Sequence, residues 1–357
     1  MTIYYITFIS IVSFSFLAQK FQTQGILKRK RYARTQSIWV WAAAAVLIFF
    51  AGFRYNVGSD WYAYYANDHQ FFAENLKVDF FEPGWKIIGF IATSVVDKAG
   101  AAMFLAAFIT IFLYVRTIAD RSDNFVLSMI FYFLLSWHGC FNGVRQYLAA
   151  AVLFAGHRYI YERKFWKWAV IVAIASLFHV TAIVMIFWYF VATRELDTKQ
   201  VVMLLAISAI LYLSYDRIFD LVSALKDKEI DSESGYASNQ VSIFRIIVNW
   251  APVLFYYIFV SKDQKEHYDK ELNFYMNMAF LNALLMTVSS NSAYLARVGI
   301  YTGCFVLLVW PLMLNRLNIK SRNLMTAIIL LCYGAYWFYD IKSHPDLNNF
   351  RLIFENV

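Results

Sequence analysis

Phe53-Arg54-Tyr55-Asn56-Val57-Gly58-Ser59-Asp60-Trp61-Tyr62, with the Glu82-Pro83-Gly84-Trp85 that closes the polar segment after it, is where this chain stops reading as lipid-soluble protein. Directly before it lies the apolar run Ile38 to Phe53. Arg54, Asp60 and Glu82 are costly to hold against an apolar body, so a polar ligand is the first explanation for them.

Outward from this stretch the sequence reads as membrane. Of 357 residues, 61% are hydrophobic and 16% charged, and the charges collect between apolar runs. Ile38 to Phe53, Ala99 to Ala119, Ile243 to Val260, Leu272 to Val288, Val298 to Leu314 and Leu324 to Tyr339 each approach the roughly 17 to 25 residues that cross a bilayer. The expectation is an all-α, polytopic integral membrane protein forming one domain over 1–357, with no separate soluble domain. The first run, Ile3 to Ala18, has no basic n-region and no small-residue cleavage site, so it reads as a retained span and not a removed signal peptide. Cys140, Cys304 and Cys332 lie in or beside apolar runs without ligand spacing, which implies neither disulfides nor a metal cage. The excess of 32 basic over 24 acidic residues reports topology before it suggests nucleic acid.

Lys20, Lys28, Arg29, Lys30, Arg31 and Arg34 form the densest basic loop, 19–37, which the positive-inside tendency places in the cytoplasm. The loop 54–98 then lies outside. Gly84 to Val96 is short and interrupted by Lys86, Thr93 and Ser94, the pattern of a re-entrant or interfacial helix. Phe165 to Ala192 reads as one long helix or as two short ones broken near His179. The break keeps Arg194, Lys199, Lys262, Lys265, Lys270, Arg316, Lys320 and Arg322 inside, whereas one helix exports them. The charge rule therefore selects the break and about twelve spans with both termini outside.

That topology puts Arg54, Asp60, Glu82, Arg145, His179, the loop 216–242, Arg245 and Arg297 on one outer face. Separate stretches converging there suit a site built between helices. Each member also has a plain alternative. Arg145, Arg245 or Arg297 alone can snorkel, although Asn291, Ser292 and Tyr294 give Arg297 polar company. His179 can be a hydrogen-bonded core histidine. Asp60 can cap the aromatic helix after it, and Glu82 before Pro83 can complement a helix dipole. Trp61, Tyr62, Tyr64, Tyr65, Phe71 and Phe72 read first as an interface belt and second as stacking surfaces for sugars. As a set, outer-face arginines run against the positive-inside tendency and call for an anionic partner. The planar guanidinium fork suits phosphate oxygens, and two or more can hold a pyrophosphate without a metal.

Taken in order, Phe53-Arg54-Tyr55-x-Val57-Gly58-x-Asp60-x-Tyr62-x-x-Tyr65, Glu82-Pro83-Gly84-Trp85, Phe141-Asn142-x-Val144-Arg145-Gln146-x-Leu148-Ala149, Phe178-His179-x-Thr181-Ala182 and Ala296-Arg297 resemble the EpsG family of Wzy-type bacterial polysaccharide polymerases. The motifs are short, and their order and spacing over most of the chain carry the likeness. Ser59 stands where threonine is common, and 216–242 matches no motif.

The resemblance implies a GT-C-like membrane glycosyltransferase that extends O-antigen, capsule or exopolysaccharide at the outer face of the bacterial inner membrane. Its substrates would be undecaprenyl-diphosphate-linked oligosaccharides, with a chain-length regulator and a flippase of the same pathway as partners alongside membrane lipid. Arg54, Arg145, Arg245 and Arg297 are the cations available to the departing diphosphate, and Tyr62 and Tyr65 are available to the sugars. Asp60, then His179, then Glu82 are the candidates for the base that activates the acceptor hydroxyl. No metal or cofactor is called for. A lipid-linked oligosaccharide flippase would use the same substrate, but it should show related halves and a polar path through the membrane. An O-antigen ligase-type transferase shares the chemistry, and a non-catalytic scaffold leaves the outer arginines unexplained.

Overall fold

The computed structural model describes residues 1–24, 35–61, 82–95, 100–214, 241–289 and 296–356. The basic cluster from Lys28 to Arg34 and nearly all of the loop 216–242 lie outside these residues. The protein is built from helices, joined by a single two-residue strand pair among the described residues. Four helical segments are long and apolar enough to cross a membrane among the described residues: Thr2–Phe21, Ala101–Arg121, Ile243–Glu266 and Ile319–Ser343. Shorter apolar helices pack among them, including Ile38–Gly52, Phe165–Ser176 and Gly299–Asn315. Cys140, Cys304 and Cys332 are all free thiols.

Hydrogen bonds fix which helix ends share a face. Helix α1 (Thr2–Gln24) starts beside the C-terminal segment, where the Tyr4 hydroxyl donates to the Leu347 carbonyl at 3.0 Å and the ring packs on Trp137, Trp337 and Phe350. Helix α2 (Ile38–Gly52) delivers the chain to strand β1 (Arg54–Tyr55), which pairs antiparallel with strand β2 (Arg351–Leu352) in the register Arg54↔Leu352. Both chain ends therefore share a face with Arg54. On the opposite face, Arg121 lies 3.8 Å from Glu271, the Leu196 N–H donates to Asn273 at 3.0 Å, and Arg316 binds Asp263 at 2.7 Å and Asp269 at 3.1 Å.

Helix α3 (Pro83–Val95) packs along α4 (Ala101–Arg121). Its thirteen residues rise about 20 Å, short of a hydrocarbon core of about 30 Å. Phe165 to Ala192 is broken: α7 (Phe165–Ser176) ends before His179, a tight helical turn spans Val180–Val184, and α8 (Met185–Val191) returns. Trp168 Nε1 donates to the Met185 carbonyl at 3.2 Å and Arg163 Nη1 to the Thr193 hydroxyl at 2.6 Å, so the halves form a hairpin with His179 at its tip. Twelve residues of helix rise about 18 Å, short of a hydrocarbon core of about 30 Å.

Helix α11 (Lys270–Val288) is the central post, buried on nearly all sides. Its apolar surface is interrupted by Asn273, Asn277 and Asn282, and each is buried and bonded. Asn273 and Asn277 both donate to the Arg194 carbonyl, at 2.9 and 3.0 Å, and Gln200 donates to Asn277 at 3.0 Å. Satisfied amides of this kind join helices where apolar packing alone discriminates poorly.

Candidate active site

Glu82 is the hub of the first polar cluster. Its backbone sits in the left-handed region at φ 59°, uncommon for a residue with a Cβ and held only where the surroundings enforce it. The enforcement comes from the hairpin tip: the Gly84 N–H donates to the Leu177 carbonyl at 2.9 Å, and a Cβ at Gly84 would meet Leu177 and Phe178 at 3.0 Å. Pro83 then opens α3 with φ already set. The buried carboxylate accepts from Arg145 Nη1 through Oε2. Its Oε1 accepts from His179 Nδ1 at 2.6 Å and from the Val180 N–H at 3.2 Å. Burial alone would raise the Glu82 carboxyl, but the His179 hydrogen bond and the charge of Arg145 together hold it below its ordinary value. The outcome is an ionised carboxylate that fixes a half-exposed arginine and a histidine.

Asp60 enters the same region from the other side. Its Oδ2 accepts the Gly143 N–H at 2.6 Å, and Gly143 precedes α6 (Val144–Gly156). Asp60 thus complements the start of a helix far away in sequence, one turn from Arg145. The approach requires Gly58. Its φ is 95°, and an added Cβ would lie 2.6 Å from Asn142 Oδ1 and 2.8 Å from the Phe141 carbonyl.

A cavity of about 660 Å³ opens beside this helix start. Arg245, from α10 (Ile243–Phe255), and Arg297 both line it, with Tyr147 and Tyr336. Gln146 donates to the Arg297 carbonyl at 2.8 Å, and the Thr181 and Tyr301 hydroxyls meet at 2.7 Å. The Glu82 cluster and the cavity therefore share the start of α6 as a wall. Asp340, in α13 (Ile319–Ser343), also lines the cavity, bound to His138 Nε2 at 3.0 Å.

Of the sequence-derived candidates, Glu82, Arg145 and His179 bond directly, Arg245 and Arg297 share the cavity, and Asp60 abuts it through Gly143. Arg54 does not line the cavity. It is 3% exposed, donates to the Ala51 carbonyl at the end of α2 and to the Val57 carbonyl at 3.2 Å, and lies over the Phe141 ring. Burial pulls its guanidinium down to about 10, so it stays cationic at neutral pH. Tyr62, Tyr65, Asn291, Ser292 and Tyr294 lie outside the described residues. Sequence reasoning missed His138, Asp340, Tyr147 and Tyr336. His138 carried a usable signal, a polar residue interrupting the apolar run 125–141.

Chemically, the site offers cations from separate helices around a water-sized to sugar-sized space, aromatic hydroxyls on its walls, and carboxylates within the same polar layer. That combination suits an anionic, sugar-bearing ligand. Residues 37–353 match the family model described as the EpsG family. No curated protein matches the chain, and no solved structure matches it.

Proposed function

Since the chain belongs to the EpsG family, a Wzy-like polymerase family, we propose that it is a glycosyltransferase joining undecaprenyl-diphosphate-linked oligosaccharide repeat units at the outer face of a bacterial inner membrane. The observation that carries this reading is the pair Arg245 and Arg297, brought to one cavity from segments remote in sequence, a helix and the turn before Gly299–Gly303. Attack of an acceptor hydroxyl on the anomeric carbon expels undecaprenyl diphosphate, and the charge that develops on its bridging oxygen needs fixed cations. Arg245 and Arg297 take the diphosphate. Arg145, aimed by the Glu82 carboxylate, adds positive charge at the edge of the same layer. Displacement by the acceptor oxygen needs no cofactor, and with no dedicated nucleophile among the candidates it inverts the anomeric carbon. Arg54 is assigned to architecture, since both of its described donations go to backbone carbonyls.

Transport is the weaker reading. The amides that line the body beneath the cavity, Asn273, Asn277 and Gln200, are buried and bonded to one another and to Arg194, which makes them helix contacts and no open polar path. The test is polymerisation by purified protein in lipid, using the native strain's lipid-linked repeat unit. Wild type should give a ladder, and Arg297→Ala should lose it while Arg297→Lys keeps a fraction. A protein that moves the lipid-linked substrate between leaflets without forming any ladder would refute the polymerase reading.

A further inference from the structure

Resting on the polymerase reading, we propose that Asp340, held by His138, is the base that takes the proton from the acceptor sugar hydroxyl. The step balances without a further reactant: the hydroxyl proton passes to an Asp340 oxygen, the acceptor oxygen bonds to the anomeric carbon, and the bond from that carbon to the diphosphate oxygen breaks with its electron pair.

The carboxylates of this face differ in what is free. Both oxygens of Glu82 are taken by Arg145, His179 and the Val180 N–H. Asp60 does not line the cavity and accepts the Gly143 N–H. Asp346 lines it and accepts from Asn142 Nδ2 at 3.5 Å; Asp340 lines it too. Its Oδ2 accepts from His138 Nε2 at 3.0 Å, while Oδ1 lies 3.7 Å from His344 Nδ1, beyond hydrogen-bond reach. That histidine nitrogen donates instead to the Asp340 backbone carbonyl at 2.8 Å. Among the described residues Oδ1 therefore has no hydrogen-bond partner and is available to a hydroxyl. His138 is buried, with Nδ1 unpartnered among the described residues, so its one side-chain contact fixes the carboxylate in a single orientation. Tyr147, Tyr336 and Arg245 line the same cavity as Asp340, so the proton acceptor and the cation assigned to the diphosphate face one space. In-line transfer to a bound acceptor needs a base and a leaving-group cation flanking the anomeric carbon, and one cavity lined by both Asp340 and Arg245 can seat that carbon between them.

The experiment compares wild type, Asp340→Asn, Asp340→Glu, Asp340→Ala and Asp346→Asn in the ladder assay, with binding of the lipid-linked repeat unit measured on the same preparations. Asp340→Asn should bind substrate within a few-fold of wild type and form product on the order of 10²- to 10⁴-fold more slowly, the range typical of a lost general base. Asp340→Glu, which keeps the charge, should exceed Asp340→Asn by at least about tenfold. In Asp340→Ala, formate should restore part of the rate, which a structural role would not allow. Asp340→Asn polymerising at the wild-type rate, Asp340→Glu no faster than Asp340→Asn, or the loss falling on Asp346→Asn instead would each overturn the assignment while the wild-type ladder left the polymerase reading intact. Absence of a ladder from wild type would sink that reading itself.

Discussion

Replacing Glu82 by Gln keeps the shape of the hub and removes its charge. The wild-type carboxylate accepts from Arg145, His179 and the Val180 N–H while 9% exposed. Hydrogen bonds to charged groups contribute about 1.5 to 3 kcal/mol each. Glutamine keeps one acceptor oxygen but presents an amide toward a donor, so at least one of these contacts is lost and another weakened. The side chain of Arg145 is 36% exposed and recovers part of its loss from water, which brings the expected destabilisation to about 2 to 4 kcal/mol. A double-mutant cycle with Arg145→Ala, read as unfolding free energy in mixed detergent, should return a coupling of about 1 kcal/mol or more. Activity should fall with it, because Arg145 is no longer aimed. The pH dependence has a definite sign. Glu82 titrates below its ordinary value of 4.5 in the folded protein, so its contribution is complete above about 4.5 and is lost as pH falls through the lower folded value. The stability gap between wild type and Glu82→Gln should therefore be flat from pH 7 to about 5 and close only in stronger acid. A gap that is absent at pH 7, or that closes on raising the pH, refutes the reasoning.

Gly58→Ala combines a disfavoured φ with a clash against the Phe141 carbonyl and should destabilise by about 2 kcal/mol or more, seen as a lower melting midpoint and poorer accumulation in membranes. Arg54→Ala should lower stability by about 2 to 4 kcal/mol through the carbonyls it abandons, with substrate affinity of the surviving folded protein unchanged in a binding titration. Arg316→Ala removes two partly exposed ion pairs on the far face. It should cost about 1 kcal/mol or less in thermal melting and leave polymerisation at the wild-type rate.

The helical, membrane-type architecture was legible because hydropathy and the spacing of basic residues report directly on burial in lipid. The break at His179 was also legible. A single helix from Phe165 to Ala192 would have exported Arg194 and Lys199, and the structure turns at Leu177 to His179 as the charge distribution required. The gathering of Glu82, Arg145 and His179 was expected only as a shared face, and their direct bonding is set by the hairpin tip meeting α3, a contact between segments remote in sequence. For the same reason the plain alternative for Asp60, beside its reading as the base, was a cap on the helix that follows it, and its contact with the Gly143 N–H at the start of α6 was out of reach of the sequence. Arg54 looked like its fellow outer arginines because sequence cannot say whether a guanidinium faces a cavity or a helix end. Asp340 sat at the edge of an apolar run with no motif around it, and its interest arises only from His138, 202 residues away in sequence.

The most direct test of the central claim is a structure of the protein in lipid with a non-transferable phosphonate analogue of its lipid-linked repeat unit. The account predicts the diphosphate mimic between Arg245 and Arg297, with the first sugar toward Tyr147 and Asp340. A mimic bound elsewhere, with that cavity filled only by water, would contradict it.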